Sequence, residues 1–276
     1  SDQKVNYACI VLNKIMEKIK IIIRYIKYLL ASKNHHAIHS PFVFNLVTNV
    51  IYKKTSINKT AEIESLRSVL CKNNKLISVK DFGAGSNINK KKKRKIKDIA
   101  KNSSKNKKFG DLLYRIVKHF KPAEIFELGT SFGISTLYLS KANSNSRITT
   151  FEGCEESAKI ALENFKKLDC ANIDTIIGEF KQNFSKKLTE KNKINMVFID
   201  GNHSENATIK YFEESIKHSD QKTILIFDDI HWSSGMEKAW DYIKKSQKTR
   251  ITVDLFFIGL VFLDQKLSKE NFIIRF

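Results

Sequence analysis

From Phe109 onward, short apolar runs alternate with segments whose apolar residues recur at helical spacing, and this alternation constrains the fold more than any other feature. The spacing predicts helices near Gly110 to His119, Ile134 to Ala142, Glu155 to Leu168, Gln182 to Thr189, Asn206 to His218 and Ser234 to Ser246. Between them it predicts strands at Glu124 to Leu128, Ile148 to Phe151, Asp174 to Ile177, Ile194 to Ile199 and Thr223 to Phe227. Strands joined through helices run parallel, with helices covering both faces of the sheet. The tail breaks this rhythm. Ile251 to Phe257, Gly259 to Leu263 and Asn271 to Arg275 are closely spaced β-type runs, which suit an antiparallel edge. An α/β fold with a doubly wound, mostly parallel sheet is expected.

The first 108 residues read as a helical N-terminal extension or lid. Ile15, Ile19, Ile22, Ile23, Ile26, Leu29 and Leu30 fall on one side of a basic amphipathic helix. Such a stripe packs on its own protein, on a twin subunit in a homodimer, or peripherally on a membrane. His35, His36 and His39 precede Ser40-Pro-Phe-Val-Phe44, where the Ser-Pro step favours a turn before another helical stretch through Tyr52. Asp81-Phe-Gly-Ala-Gly-Ser86 is glycine-rich but runs into lysines rather than an apolar helix, so it reads as a turn covering the site. Half of the chain's net charge of +20 lies in the basic segment 90–108. That run is either a solvated surface or a contact for an anionic partner such as RNA. The four cysteines lack metal or disulfide spacing, and no run approaches the roughly 18 apolar residues of a membrane span. A cytoplasmic protein is expected.

The chemistry concentrates where Ala123-Glu-Ile-Phe-Glu-Leu-Gly-Thr-Ser-Phe-Gly133 turns from strand into helix. Glycine permits a sharp bend and close approach of a ligand, and the following helix N-terminus offers unpaired N–H groups. The second apolar run ends in Glu152, a carboxylate placed to grip ribose hydroxyls. The turn reads E-x-G-x-S-x-G. Its acidic Glu127 disfavours a phosphate and suits a cationic ligand.

These residues resemble the class I methyltransferases that use S-adenosylmethionine, over roughly Phe109 to Phe276. The resemblance implies a Rossmann-like, seven-stranded domain over 109–276, preceded by the extension 1–108. It implies that Glu127, Gly129, Thr130, Ser131 and Gly133 surround the methionine part of the cofactor. Glu152 and Gly153 would hold the ribose, and Gly178 and Glu179 would border the adenine. Together the H-S-P-F-V-F and D-F-G-A-G-S boxes resemble an uncharacterised bacterial group with an N-terminal extension.

Ligands of open α/β sheets sit beyond the C-terminal strand ends, where Asp200, Asp228 and Asp229 also fall. Three carboxylates at one rim call for protons or a cation, and oxygen donors suit Mg²⁺. The pattern is similar to the metal-dependent catechol and caffeoyl-coenzyme A type O-methyltransferases, although Asp229 stands where they carry asparagine. In that family a lysine three residues after the first metal aspartate takes the substrate proton. Here the position is His203, an adequate base near neutral pH. His231 and Trp232 would line the pocket of a small-molecule acceptor. Two alternatives remain: an RNA methyltransferase using the lysine run, and a non-catalytic cofactor-binding assembly protein.

Overall fold

The structure is a computed structural model describing residues 2–34, 38–79, 92–103, 106–191 and 193–276. His35, His36 and the Asp81-Phe-Gly-Ala-Gly-Ser86 box lie outside the described residues. The N-terminal part comprises α1 (Asp2–Ala31), α2 (Pro41–Leu46) running into a π-helical turn (Val47–Ile51), and α3 (Ile57–Leu70). A hairpin follows, β1 (Leu76–Val79) with β2 (Lys92–Lys95), and then α4 (Ile96–Ser103). The hairpin corrects the purely helical reading of this region. Part of the lysine run is a strand and part a short helix. Ser40 caps α2 by accepting from Val43 N, with Pro41 at the first helical position, where a missing N–H loses nothing.

The alternating part begins with α5 (Lys107–Phe120) and β3 (Glu124–Leu128), then α6 (Ile134–Ala142), β4 (Arg147–Glu152), α7 (Glu155–Lys167) and β5 (Ile173–Ile177). It continues through α8 (Phe180–Thr189), β6 (Ile194–Ile199), α9 (Glu205–Lys217), β7 (Ser219–Asp228), α10 (Ser234–Lys245), β8 (Ile251–Asp254), β9 (Ile258–Phe262) and β10 (Glu270–Ile273). The sheet order is β10-β8-β9-β7-β6-β3-β4-β5. It therefore holds eight strands rather than seven, and the antiparallel character belongs to β9 alone. A tight turn closes β8 onto β9, with Asp254 Oδ1 accepting from Phe256 N. β10 then returns along the outer side of β8 in parallel.

Alternation along each strand feeds two cores. Ile125, Met196, Phe198, Ile224 and Ile226 face α5, α6 and α7, and Phe126, Val197, Leu225 and Phe227 face α8, α9 and α10. Val43, Leu46, Val50, Ile63 and Ile96 join the first core, so the extension packs on one face of the sheet instead of holding a core of its own. α1 is fixed differently. Tyr28 is buried and its hydroxyl donates to Ile274 O, while Arg24 pairs with Glu237 at 2.8 Å. Its apolar stripe stays open, with Ile19, Ile22, Ile23, Ile26 and Leu30 exposed. Among the described residues no helix is long and apolar enough to cross a membrane.

Candidate active site

Strands β4 and β5 step from β3 toward one edge, and β6 returns to the other side of β3, which makes the β3–β6 boundary the switch point of the sheet. Loops leaving there in opposite directions open a crevice for ligands. Just past the strands, Asp200 N donates to Leu128 O at 2.8 Å, holding the two loops together. Gly129 has φ +107°, and a Cβ on it would meet Asp200 O at 2.1 Å. Backbone conformation and space both demand glycine there. Gly133 has φ +79°, and a Cβ on it would meet the Phe165 ring at 2.3 Å, so packing of α6 against α7 also excludes a side chain.

Glu127 points beneath the turn. It is fully buried, and Oε2 accepts from the hydroxyls of Thr136 (2.5 Å) and Thr150 (2.7 Å). Oε1 is buried without a hydrogen-bond partner. Burial pushes this carboxyl above the usual range, against the opposing hydroxyls of Ser135, Thr136 and Thr150. The Thr130 hydroxyl lies 2.6 Å from that of Thr150 and so belongs to the same internal network.

Glu152 closes β4 and is held by the backbone. Oε2 accepts from Ser131 N at 2.7 Å, and Oε1 from Cys154 N at 2.8 Å. Ser131 adopts φ +48°, which turns its N–H toward the carboxylate. Burial raises the Glu152 carboxyl, and N–H groups of Cys154, Ser131 and Gly153 pull it back. On the neighbouring strand, Gly178 N donates to Glu152 O at 2.9 Å with φ +134°, and Glu179 is exposed at the start of α8.

At the ends of β6 and β7, Asp200, His203 and Asp228 each offer a ligand atom within 4.8 Å of the others. His203 Nε2 stands 3.7 Å from Asp200 Oδ1. Asp229 is not part of this group. Its φ is +53°, and its N–H donates to Phe257 O at 2.6 Å, which ties the loop after β7 to the β8–β9 turn. Sequence reasoning gave His203 only the role of a base, yet its spacing of three from Asp200 brings both side chains to one point.

His231 has a structural tie to α1. Its Nε2 is 2.7 Å from Asp254 Oδ2, its Nδ1 is 3.4 Å from Glu237 Oε1, and its ring stacks on Phe256. Burial opposes the charged imidazolium, but the bonds and charges of Asp254 and Glu237 outweigh it and raise the pKa. Glu237 carries the link on to Arg24. The sequence had no signal for this chain of contacts, because its members are far apart and individually ordinary. Trp232 is 54% exposed beside it.

Residues 126–230 match a family model described as a methyltransferase domain. No curated protein matches the chain significantly. Among solved structures, an O-methyltransferase from Bacillus cereus in complex with SAH is 18% identical, with a TM-score of 0.53, covering 80% of this chain and 97% of that one. The O-methyltransferase TomG from Streptomyces achromogenes, in complex with SAM, is 18% identical with a TM-score of 0.50, covering 59% and 82%. The SAH-bound methyltransferase PaMTH1 from Podospora anserina is 13% identical with a TM-score of 0.53, covering 59% and 80%. The match runs from within β3 to just past β7, the same strands that build the crevice and the acidic rim, so the part of the chain that forms the site is similar to a methyltransferase domain.

Proposed function

We propose that the protein methylates a hydroxyl oxygen of a small acceptor, with a divalent cation held by Asp200, His203 and Asp228. The observation that carries this reading is the convergence of those three donors beside the crevice at the β3–β6 switch point. Two carboxylates and an imidazole so close together fit a divalent ion such as Mg²⁺ or Mn²⁺, the imidazole shifting preference toward Mn²⁺. Oxygen as the methylated atom is supported by the description of similar folds as O-methyltransferases.

For the cofactor, the fit is seen in Glu127 and Glu152. The buried Oε1 of Glu127, which takes neither threonine hydroxyl, is an acceptor suited to the cationic methionine part. Glu152 is locked by three N–H groups, which leaves its remaining lone pairs fixed in direction for ribose hydroxyls. When bound, S-adenosylmethionine supplies a methyl group on a sulfonium, and a divalent cation acidifies an oxygen attached to it. The chain's own part is to align the acceptor oxygen and to take its proton. His203, beside Asp200 and Asp228, is the imidazole at this rim for that proton, and the same ring is the third potential ligand.

Calorimetry with S-adenosylmethionine and Mn²⁺ titration followed by paramagnetic resonance test the two halves separately. Both ligands are expected to bind the wild-type chain. In His203→Gln, lost Mn²⁺ binding identifies a ligand, and intact Mn²⁺ binding with lost turnover identifies a base. No cofactor heat at about 1 mM, well above ordinary affinities, ends the methyltransferase reading. An unchanged Mn²⁺ signal ends the metal reading alone.

A further inference from the structure

A second concavity of about 530 Å³ opens between α5, the segment after the π-helical turn, and the last residues of the chain. Its lining carries Lys53, Lys54, Lys108, Arg115 and Arg275 against one acidic side chain, Asp111. That carboxylate is already engaged, because Lys107 Nζ lies 2.6 Å from Asp111 Oδ2 and Thr60 donates to Oδ1. Among the described residues no ion pair joins any of the five lining cations to an acid. Both guanidinium groups are held by neutral acceptors. Arg115 donates to Val50 O, Ile51 O and the Thr55 hydroxyl, and Arg275 to Leu29 O and the Ser32 hydroxyl. Their positions are fixed and their donors used, and among the lining side chains only Asp111 offsets part of their charge, at Arg115. Folding thus gathers like charges around one hollow, an arrangement that repels itself and concentrates anions.

The apolar part of the wall is specific too. Lys108 Nζ lies 4.1 Å above the Phe276 ring, and Tyr52 and Ile51 complete the lining. A bare, strongly hydrated anion makes no use of those rings. An anion carried on a planar or apolar body does.

The concavity also lies at the catalytic end of the sheet. α5 reaches β3 through only three residues, so the helix runs antiparallel to the strand and its N-terminal turn comes back to the level of the strand's C-terminal end. The lengths agree: 14 helical residues at about 1.5 Å each against five strand residues at about 3.3 Å each. Next to Lys108, Phe109 packs on Phe257 with ring centroids 5.7 Å apart, and Phe257 O accepts from Asp229 N. Phe109 packs on Phe276 as well, at 5.6 Å. A file of rings therefore leads from the basic hollow to the loop that follows Asp228.

We propose that this concavity binds the anionic handle of the methyl acceptor, which places the acceptor among hydroxylated small molecules bearing a phosphate or carboxylate on a planar or apolar body. The inference rests on the methyltransferase reading above and deepens it by naming the substrate class.

Its test uses the full chain and three probes in calorimetry: phenyl phosphate, inorganic phosphate and phenol. Phenyl phosphate is expected to bind at least about tenfold more tightly than either of the others, since it alone meets both the charge and the rings. The double variant Lys53→Gln/Lys54→Gln changes two exposed side chains and should lower phenyl phosphate affinity by about tenfold while leaving S-adenosylmethionine affinity unchanged. Equal affinity for inorganic and phenyl phosphate overturns the acceptor handle in favour of a free-anion site. No binding at about 10 mM, or equal binding to wild type and variant, overturns the site itself. Either result with intact S-adenosylmethionine binding leaves the methyltransferase reading standing, and lost cofactor binding strikes that reading instead.

Discussion

The crevice and the rim each gather carboxylates, and the protein treats the two pairs in opposite ways. Glu127 and Glu152 are surrounded by donors from their own chain, hydroxyls in one case and backbone N–H groups in the other. Asp200 and Asp228 are brought toward each other, with an imidazole as the third member of the group. In the first pair fixed dipoles offset part of the cost of burial and hold each carboxyl in place. The second sets like charge near like charge, which a cation or a proton relieves. Preorganised dipoles suit a ligand that must be held in one pose. Crowded acids suit an ion that must be captured.

Gly129→Ala should produce the largest effect, because it attacks the seam between these two regions. The added Cβ would lie 2.1 Å from Asp200 O, a backbone atom that cannot rotate away, at a φ that alanine disfavours. The β3 and β6 loops must then separate. We expect a loss of about 3 kcal/mol or more of stability together with lost cofactor and Mn²⁺ binding. Thermal denaturation and calorimetry read both, and a variant that loses only one ligand would show that the regions are built independently.

Asp228→Asn sharpens the contrast at the rim. Removing one acid should weaken Mn²⁺ binding by about tenfold or more, because a charged ligand becomes a neutral one. It also removes like-charge repulsion, so the melting temperature should hold or rise when no metal is present. A marked fall in melting temperature would mean that Asp228 supports the fold rather than the ion.

The crevice was legible in the sequence and the rim only partly so, for a physical reason. Glu127, Gly129, Gly133 and Glu152 are read from a strand, its turn and the next strand, and local periodicity fixes where each one falls. Asp200 and Asp228 could be put at strand ends by the same logic. Which side chains then converge depends on loop conformations that periodicity does not specify. His203 turns toward Asp200, whereas Asp229 leaves the group because its backbone turns left-handed and binds Phe257 O. His231 is drawn to Asp254, 23 residues on, and to Glu237, whose link to Arg24 spans 213 residues. The strand count slipped for a related reason. The tail's three β-type runs were visible, but only the fold shows β10 returning beside β8 as an eighth strand. The exposed stripe of α1 makes the same point from the other side, since helical spacing predicts an apolar face and not what covers it.

The smallest and most diagnostic effect is the pH dependence at Glu127. Burial raises its folded-state carboxyl above the unfolded reference of 4.5, against the three hydroxyls. Below that reference both states are protonated and the group is neutral with respect to folding. As pH climbs from 4.5 through the raised folded value, the unfolded chain ionises first, and the folded protein loses stability with each step. Glu127→Gln keeps a side chain of the same shape and removes the titration. Its melting temperature, relative to wild type, should therefore improve steadily from pH 4.5 upward and level off once the folded carboxyl has ionised. The hydroxyl donors of Thr136 and Thr150 remain satisfied by the amide oxygen, so no compensating loss masks the trend. S-adenosylmethionine affinity should fall in the same variant wherever the folded wild-type carboxyl is ionised, because the buried negative charge below the turn is then gone. A pH-independent difference between the two proteins would show that the hydroxyls fully offset burial, so that the folded carboxyl is not raised above the unfolded one.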